Sequence, residues 1–158
     1  MTNSSRHIKT GSPTLSLPHC VVIVPARNEA RDVGFVIGEI NKHSIFPVVV
    51  IDDASTDNTI QVARQAGAVV IPLAVQLGAW GATQTGLRYA LTNNYAYAIT
   101  MDADGQHLAE SLPALLQPII SREADVTIGA CTRRGSTLRK IAWILIKRVS
   151  GLRLNDLT

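Results

Sequence analysis

The feature that most constrains this chain is an alternation, from Cys20 onward, of short β-branched runs with longer segments of helical period. Such an alternation is typical of a parallel sheet flanked by helices. Five apolar runs predict strands, at 20–24, 48–51, 68–73, 96–101 and 125–130. Because these runs are almost continuously apolar, we expect the strands to be covered on both faces. The sequence therefore predicts an α/β fold with a mostly parallel central sheet.

The segments between these runs have the period of helices. Five helices are predicted, at 33–40, 57–65, 82–93, 110–122 and 137–150. We expect the second helix to stop at Gly67, since glycine favours a helix C-terminus. Pro113 is tolerated in a first turn, whereas Pro118 is expected to kink the fourth helix or divide it.

Composition narrows the class of protein. With 158 residues, of which 46% are hydrophobic and 17% charged, the chain is expected to form one compact domain, 19–158, after a polar leader, 1–18. Cys20 and Cys131 lie far apart and no secretory signal accompanies them, which favours free thiols and a cytoplasmic location. The apolar run Ile141–Ile146 is too short to span a membrane, which takes about 20 residues.

The positive charge of the chain is concentrated in its last segment. Residues 131–158 hold 7 basic and 1 acidic side chains, whereas residues 1–130 hold 8 basic and 11 acidic ones. Basic and apolar residues interleave in 138–150, which indicates peripheral contact with an anionic membrane surface. The alternative is a helix packed on the sheet with a solvated basic face. We expect no nucleic-acid partner, despite a pI near 9.1.

Polar residues follow three of the predicted strands, at the sheet edge where ligands bind in doubly wound folds. Five carboxylates are expected to converge there: Asp52, Asp53, Asp57, Asp102 and Asp104. Like charges at close range require a cation or hydrogen-bond donors. Asp102 and Asp104 can face Mg²⁺ or Mn²⁺, with Gln106 as a neutral oxygen ligand. The alternative is that both aspartates cap the turn and the helix that follows.

Two further segments are candidates for contact with a nucleotide. Asp52 and Asp53 can accept hydrogen bonds from a base and a ribose, or can belong to the cap of the next helix together with Ser55, Thr56 or Asp57. The loop 77–82, which contains Gly78, allows close approach of a ligand near a helix N-terminus. It matches neither the dinucleotide-binding fingerprint nor a phosphate loop, so neither of those classes is supported.

Taken together, these segments resemble the family 2 glycosyltransferases, whose nucleotide-sugar-binding domain has the Rossmann-like GT-A fold. Five motifs in order carry the resemblance: VVIVPARNEA, VVVIDDASTDNT, QLGAWGATQTGLRYA, ITMDADGQH and DVTIGACTR. The run Asp-Ala-Asp-Gly-Gln-His is especially similar to that of the subgroup that makes polyprenyl-phosphate sugars.

The resemblance implies a metal-dependent enzyme that moves a sugar from a nucleotide diphosphate to an acceptor, which in that subgroup is a polyprenyl phosphate. It implies a nucleotide site lined by Pro25, Ala26, Arg27, Glu29, Asp52, Asp53, Gly78 and Asp102. It also implies that Asp102 and Asp104 are catalytic. Mn²⁺ or Mg²⁺ is expected on Asp102, Asp104 and Gln106.

The sequence departs from the family pattern in three places. Gln76 stands where the family usually has Asn, and Cys131 stands where it has Arg. Relatives continue with Ser-Gly-Phe-Arg after the motif that includes Asp156, so we expect this chain to be incomplete at its C-terminus and to bind the donor better than it transfers sugar. The alternatives are a non-catalytic nucleotide-binding domain and, from the run Asp102–Gly105, a dehalogenase-type phosphatase.

Overall fold

The computed structural model describes residues 19–129, in which strands and helices alternate. The strands are β1 (Cys20–Ala26), β2 (Val48–Asp52), β3 (Val69–Pro72) and β4 (Tyr97–Thr100). The helices are α1 (Val33–His43), α2 (Thr59–Gln65), α3 (Gly78–Thr92) and α4 (Leu112–Ile120), and a 3₁₀ turn at Ala109–Ser111 precedes α4. The predicted α/β fold is confirmed. The predicted leader and the helix predicted at 137–150 lie outside the described residues.

The four strands form one parallel sheet in the order β3-β2-β1-β4. Ala26 of β1 pairs with Asp52 of β2, and Ile23 pairs with Thr100 of β4 on the other side. The chain therefore builds outward from β1 to β3 and then returns to place β4 on the opposite side of β1. In open α/β sheets, the carboxyl edge at such a reversal is where a crevice opens.

Side chains of β1 alternate between two buried layers. Val22 and Val24 pack in a cluster with α1, whereas Val21 and Ile23 pack in a second cluster with α3. This alternation follows from the two-residue period of a strand. The expectation that both faces of the strands are covered is confirmed for β1 and β2, apart from the half-buried Pro25. It is wrong for β3 and β4, whose residues are half-buried or exposed because these strands lie at the two edges of the described sheet.

The helix predictions hold for α1 and α2 and fail at the start of α3. The four apolar residues predicted to share the inner face of α1 are all buried. Gly67, with φ at 92°, follows α2 as predicted. However, α3 begins at Gly78 rather than Ala82, so the predicted glycine-rich loop is largely the first turn of a helix.

Pro118 does not divide α4. Pro113 lies in the first turn, as predicted, and the helix continues through Pro118 to Ile120. The proline lies so close to the C-terminal end that its missing N–H removes one hydrogen bond of the last turn only. No helix within residues 19–129 is both long enough and apolar enough to cross a membrane.

The fifth predicted strand is absent from residues 125–129, and Ala130 lies outside the described residues. Val126 and Ile128 are 73% and 87% exposed. The hydroxyl of Thr127 donates to the carbonyl oxygen of Leu115 at 2.7 Å, so this segment is held by α4. β-branched residues favour a strand only where a neighbouring strand pairs with them, and no described strand is hydrogen-bonded to this segment.

Candidate functional site

A cleft of about 330 Å³ opens at the carboxyl ends of β1 and β4. Its walls consist of Pro25, Ala26, Arg27, Glu29, Asp53, Gln76, Gly78, Ala79, Ala82, Asp102, Ala103 and Asp104. These residues come from segments far apart in the sequence, and the sheet order brings them to one place. The sequence predicted ten site residues, and eight of them line this cleft. The two that do not are Asp52 and Gln106. We call it the donor cleft, after the nucleotide-sugar donor that the resemblance leads us to expect there.

Asp52 is buried and does not line the donor cleft, although the next residue, Asp53, does. Only 1% of the surface of Asp52 is exposed. Oδ2 accepts a hydrogen bond from the Ser55 amide at 3.1 Å, and Oδ1 has no partner among the described residues. The geometry therefore gives Asp52 a role in the turn after β2. A direct contact between Asp52 and a nucleotide stays a prediction.

Gln106 and His107 line a second, larger cleft of about 940 Å³ that follows the outer side of β4. This second cleft is more apolar and does not contain the carboxylates of Asp102 and Asp104. We assign the site to the smaller cleft because charged groups converge there. Gln106 as a third metal ligand stays a prediction.

Asp53 holds the start of α3. This residue is 3% exposed, and its Oδ1 accepts a hydrogen bond from the Leu77 amide at 2.6 Å while Oδ2 accepts one from the Gly78 amide at 2.9 Å. The first amides of a helix have no partner within the helix, so a carboxylate there stabilises the first turn. Gly78 has φ at 78°, which glycine adopts without strain. Asp53 thus fixes the backbone along one wall of the donor cleft.

Negative charge accumulates in the donor cleft around Glu29. Its pKa is raised above the ordinary value, first by burial and then by the carboxylates of Asp32, Asp104 and Asp57. Within residues 19–129, no three histidine, cysteine, aspartate or glutamate side chains form a complete metal cage. Two carboxylates with an incomplete shell fit Mg²⁺ or Mn²⁺, which complete their coordination with water and the phosphate oxygens of a ligand.

The turn that carries Asp102 and Asp104 is stabilised by its own side chains. The Gln106 amide donates to Oδ1 of Asp104 at 3.0 Å, and the Asp102 amide donates to Nδ1 of His107 at 3.3 Å. Nε2 of His107 lies 3.6 Å from Oδ2 of Asp102. The capping alternative is therefore realised in part. It leaves Asp102, whose side chain is 65% exposed, accessible from the donor cleft.

Hydrogen bonds join the loop after β1 to the loop after β2, and sequence reasoning missed them. Amides of 28–30 donate to side chains of the second loop, and the Asn28 side chain accepts in return. We call this set the inter-loop network. The capping alternative named Ser55, Thr56 or Asp57 for α2. Asp57 does accept from the Thr59 amide, whereas Asn58 at the cap position makes no side-chain bond. The signal was the density of small polar residues in 52–59, opposite a single asparagine, Asn28, in the first motif.

The order of these elements defines a class of open α/β domain with a cleft at the reversal of strand order, and the comparisons identify the family. The model for glycosyl transferase family 2 matches residues 21–156. The chain belongs to this family. The match overturns the dehalogenase-type interpretation of Asp102–Gly105.

Relatives within the family include transferases named for polyprenyl-phosphate acceptors. An undecaprenyl-phosphate mannosyltransferase of Micrococcus luteus is 33% identical, over 87% of this chain and 63% of its own length. A UDP-N-acetylglucosamine–dolichyl-phosphate N-acetylglucosaminyltransferase of Methanococcus voltae is 27% identical, over 87% of this chain and 61% of its own length. The chain therefore spans less than two thirds of these relatives.

A solved structure has a similar fold. Glucosyl-3-phosphoglycerate synthase of Mycobacterium tuberculosis, in complex with Mn²⁺, UDP-glucose and phosphoglyceric acid, is 25% identical with a TM-score of 0.55. The similarity covers 66% of this chain and 40% of that one. The likeness agrees with the parallel sheet and flanking helices described above.

Proposed function

We propose that this chain forms the donor-binding part of a family 2 glycosyltransferase that moves a sugar from a nucleotide diphosphate to an acceptor. The observation that carries the proposal is the convergence of Arg27, Glu29, Asp53, Asp102 and Asp104 in one cleft at the reversal of strand order. A cleft with one guanidinium and several carboxylates suits a ligand that brings both phosphate groups and hydroxyl groups.

The residues of the cleft have separate roles in this proposal. Asp102 and Asp104 hold a divalent cation, Mn²⁺ or Mg²⁺, which when bound neutralises the diphosphate that departs from the sugar. Arg27 places a permanent positive charge at the cleft and supports a phosphate oxygen. Asp53 keeps the first turn of α3 in place, and the remaining lone pairs of its oxygens can accept from the nucleoside.

The acceptor that we propose is a polyprenyl phosphate, on the basis of the names of the Micrococcus luteus and Methanococcus voltae relatives. An acceptor of this kind resides in a membrane, so the proposal includes contact of residues 138–150 with an anionic leaflet at its cytoplasmic face. Its phosphate is mostly ionised near neutral pH, because the second pKa of a phosphate ester is about 6. Such an acceptor therefore needs no strong general base.

Donor binding is tested by calorimetry with UDP in the presence of Mn²⁺ and in the presence of EDTA. We expect binding with metal only, because the diphosphate and the cleft carboxylates repel each other when no cation lies between them. Asp104→Asn should weaken metal-dependent binding by at least about tenfold, as losses at metal sites usually do.

The matched control for this test is Asp32→Asn. Asp32 also raises the pKa of Glu29, but it does not line the donor cleft. The same chemical change should leave UDP binding close to that of the unsubstituted chain. Equal affinity with metal and with EDTA would contradict the proposed function.

A further inference from the structure

We propose that Asn28 is a positioning residue that acts through the inter-loop network to fix the backbone presenting Arg27 and Glu29 to the donor. The inference rests on the proposed function, since donor binding is the property that it serves. Asn28 itself does not line the donor cleft, whereas the residues on either side of it do. Its effect on a ligand must therefore pass through its neighbours.

The backbone of Asn28 has an unusual conformation that the second loop holds in place. Its φ is 56°, in the left-handed region that asparagine tolerates better than most residues. The Asn28 amide donates to Oγ of Ser55 at 2.9 Å. Its side-chain Oδ1 accepts from the Thr56 amide at 2.8 Å and from the Thr56 hydroxyl at 3.2 Å. Both the backbone and the side chain of this residue are therefore tied to the loop after β2.

The next two amides continue the same pattern. The Glu29 amide donates to Oγ1 of Thr59 at 2.8 Å, and Thr59 is fully buried at the start of α2. The Ala30 amide donates to Oδ2 of Asp57 at 3.2 Å. Three consecutive amides thus find acceptors on side chains of the loop after β2 and of the first residue of α2. The acceptors follow β2, whose last residue, Asp52, pairs with Ala26 of β1, so the two loops start side by side at the same edge of the sheet.

The inter-loop network holds Glu29 close to other negatively charged side chains. Its carboxylate lies among those of Asp32, Asp57 and Asp104, which repel it. A loop without these hydrogen bonds would be free to move Glu29 and Arg27 away from the cleft. Donor affinity then falls because the loop must be ordered again on binding.

Two independent substitutions test the inference. Asn28→Gly retains the freedom to adopt a positive φ but removes the side-chain acceptor of the Thr56 bonds. Ser55→Ala removes the acceptor of the Asn28 amide, whereas Ser55→Thr retains a hydroxyl there. Asn94→Gly is the matched control, since Asn94 also has a positive φ, 58°, and its side chain takes no part in the network.

The measurements are UDP affinity with Mn²⁺ by calorimetry, well below the unfolding midpoint, and the unfolding midpoint itself. We expect Asn28→Gly and Ser55→Ala each to weaken binding by about tenfold, which corresponds to about 1.4 kcal/mol. Their combination should weaken it by less than the product of the two effects, because both break one network. Ser55→Thr should restore affinity, and Asn94→Gly should leave it unchanged even if its midpoint falls.

Two outcomes would overturn the inference. One is UDP affinity in Asn28→Gly and Ser55→Ala equal to that of the unsubstituted chain. The other is an equal loss in Asn94→Gly, which would show that affinity follows overall stability. Absence of UDP binding by the unsubstituted chain is a different result, because it overturns the proposed function on which the inference rests.

Discussion

The sequence predicts that Asp53 binds a ligand, whereas the structure shows that its side chain binds backbone amides. It follows a buried strand, as ligand-binding carboxylates often do, yet both of its oxygens accept backbone amides of Leu77 and Gly78. Because each carboxylate oxygen has more than one acceptor site, the two roles are compatible. A substitution of Asp53 would therefore combine a loss of local structure with any loss of binding, which is why the tests above use other residues.

Cys20 gives a prediction at the scale of one residue. Burial raises the pKa of its thiol to about 11, and the residue is 2% exposed. At pH 8 only about 0.1% of such a thiol is in the reactive thiolate form. In a Cys131→Ser variant, we expect iodoacetamide to leave the native chain unmodified and to label it in urea. The measurement is the mass shift over time.

The raised pKa of Cys20 also determines how the stability of the folded chain changes with pH. The pKa of the Cys20 thiol is higher in the folded chain than its ordinary value of 9.0. Its contribution to stability is therefore full below pH 9 and is lost as the pH rises toward 11. Equal labelling rates in native buffer and in urea would contradict the burial of Cys20.

At the scale of elements, two helical glycines should respond to the same substitution with opposite signs. A Cβ at Gly86 of α3 would lie 2.2 Å from Cγ2 of Ile23 in β1, whereas a Cβ at Gly38 of α1 would meet nothing within 4 Å. We expect Gly86→Ala to lower the free energy of unfolding by about 1–3 kcal/mol through overpacking. Gly38→Ala should raise it by up to about 1 kcal/mol. Urea denaturation measures both, and a stabilised Gly86→Ala would show that α3 does not approach β1 so closely.

The elements also show how far sequence reasoning reaches. Apolar runs and helical periods predicted four strands and the inner face of α1, because those patterns depend on neighbours in sequence. The start of α3 was missed because its capping carboxylate, Asp53, comes from a distant strand end. The strand at 125–130 was predicted from β-branched residues, but a strand also needs a pairing partner.

The residues that line the cleft could be predicted from the sequence, but the hydrogen bonds that position them could not. Sheet topology places the residues after β1 and β4 together, so the motifs at those ends were enough to predict the donor cleft. The inter-loop network was not predictable, because the sequence does not show which polar side chain of one loop meets which amide of another. The left-handed conformation of Asn28 was not predictable for the same reason, since it accompanies these contacts between the two loops.

At the scale of the whole chain, charge is divided between the domain and its last segment. The excess of basic residues in 131–158 should bring the chain to anionic vesicles, since each surface Lys or Arg contributes about 1 kcal/mol near such a leaflet. We expect co-sedimentation that weakens with salt and is lost when Arg139, Lys140, Lys147 and Arg148 are replaced with Gln. The matched control removes the same number of charges elsewhere, by replacing Lys42, Arg64, Arg88 and Arg122 with Gln. Salt-independent pelleting, or none, would contradict membrane contact.

The position of β1 between β2 and β4 also has a consequence for how the chain assembles. Val22 pairs with Val48, which emerges from the ribosome soon after it, whereas Cys20 pairs with Tyr97, which emerges much later. Contacts between distant segments form more slowly, because closure of a longer loop costs more entropy. The first three strands can therefore join before β4 emerges from the ribosome. Since the donor cleft has walls on both sides of β1, it is not formed until β4 has joined, and a ligand that contacts both walls can bind only after that step.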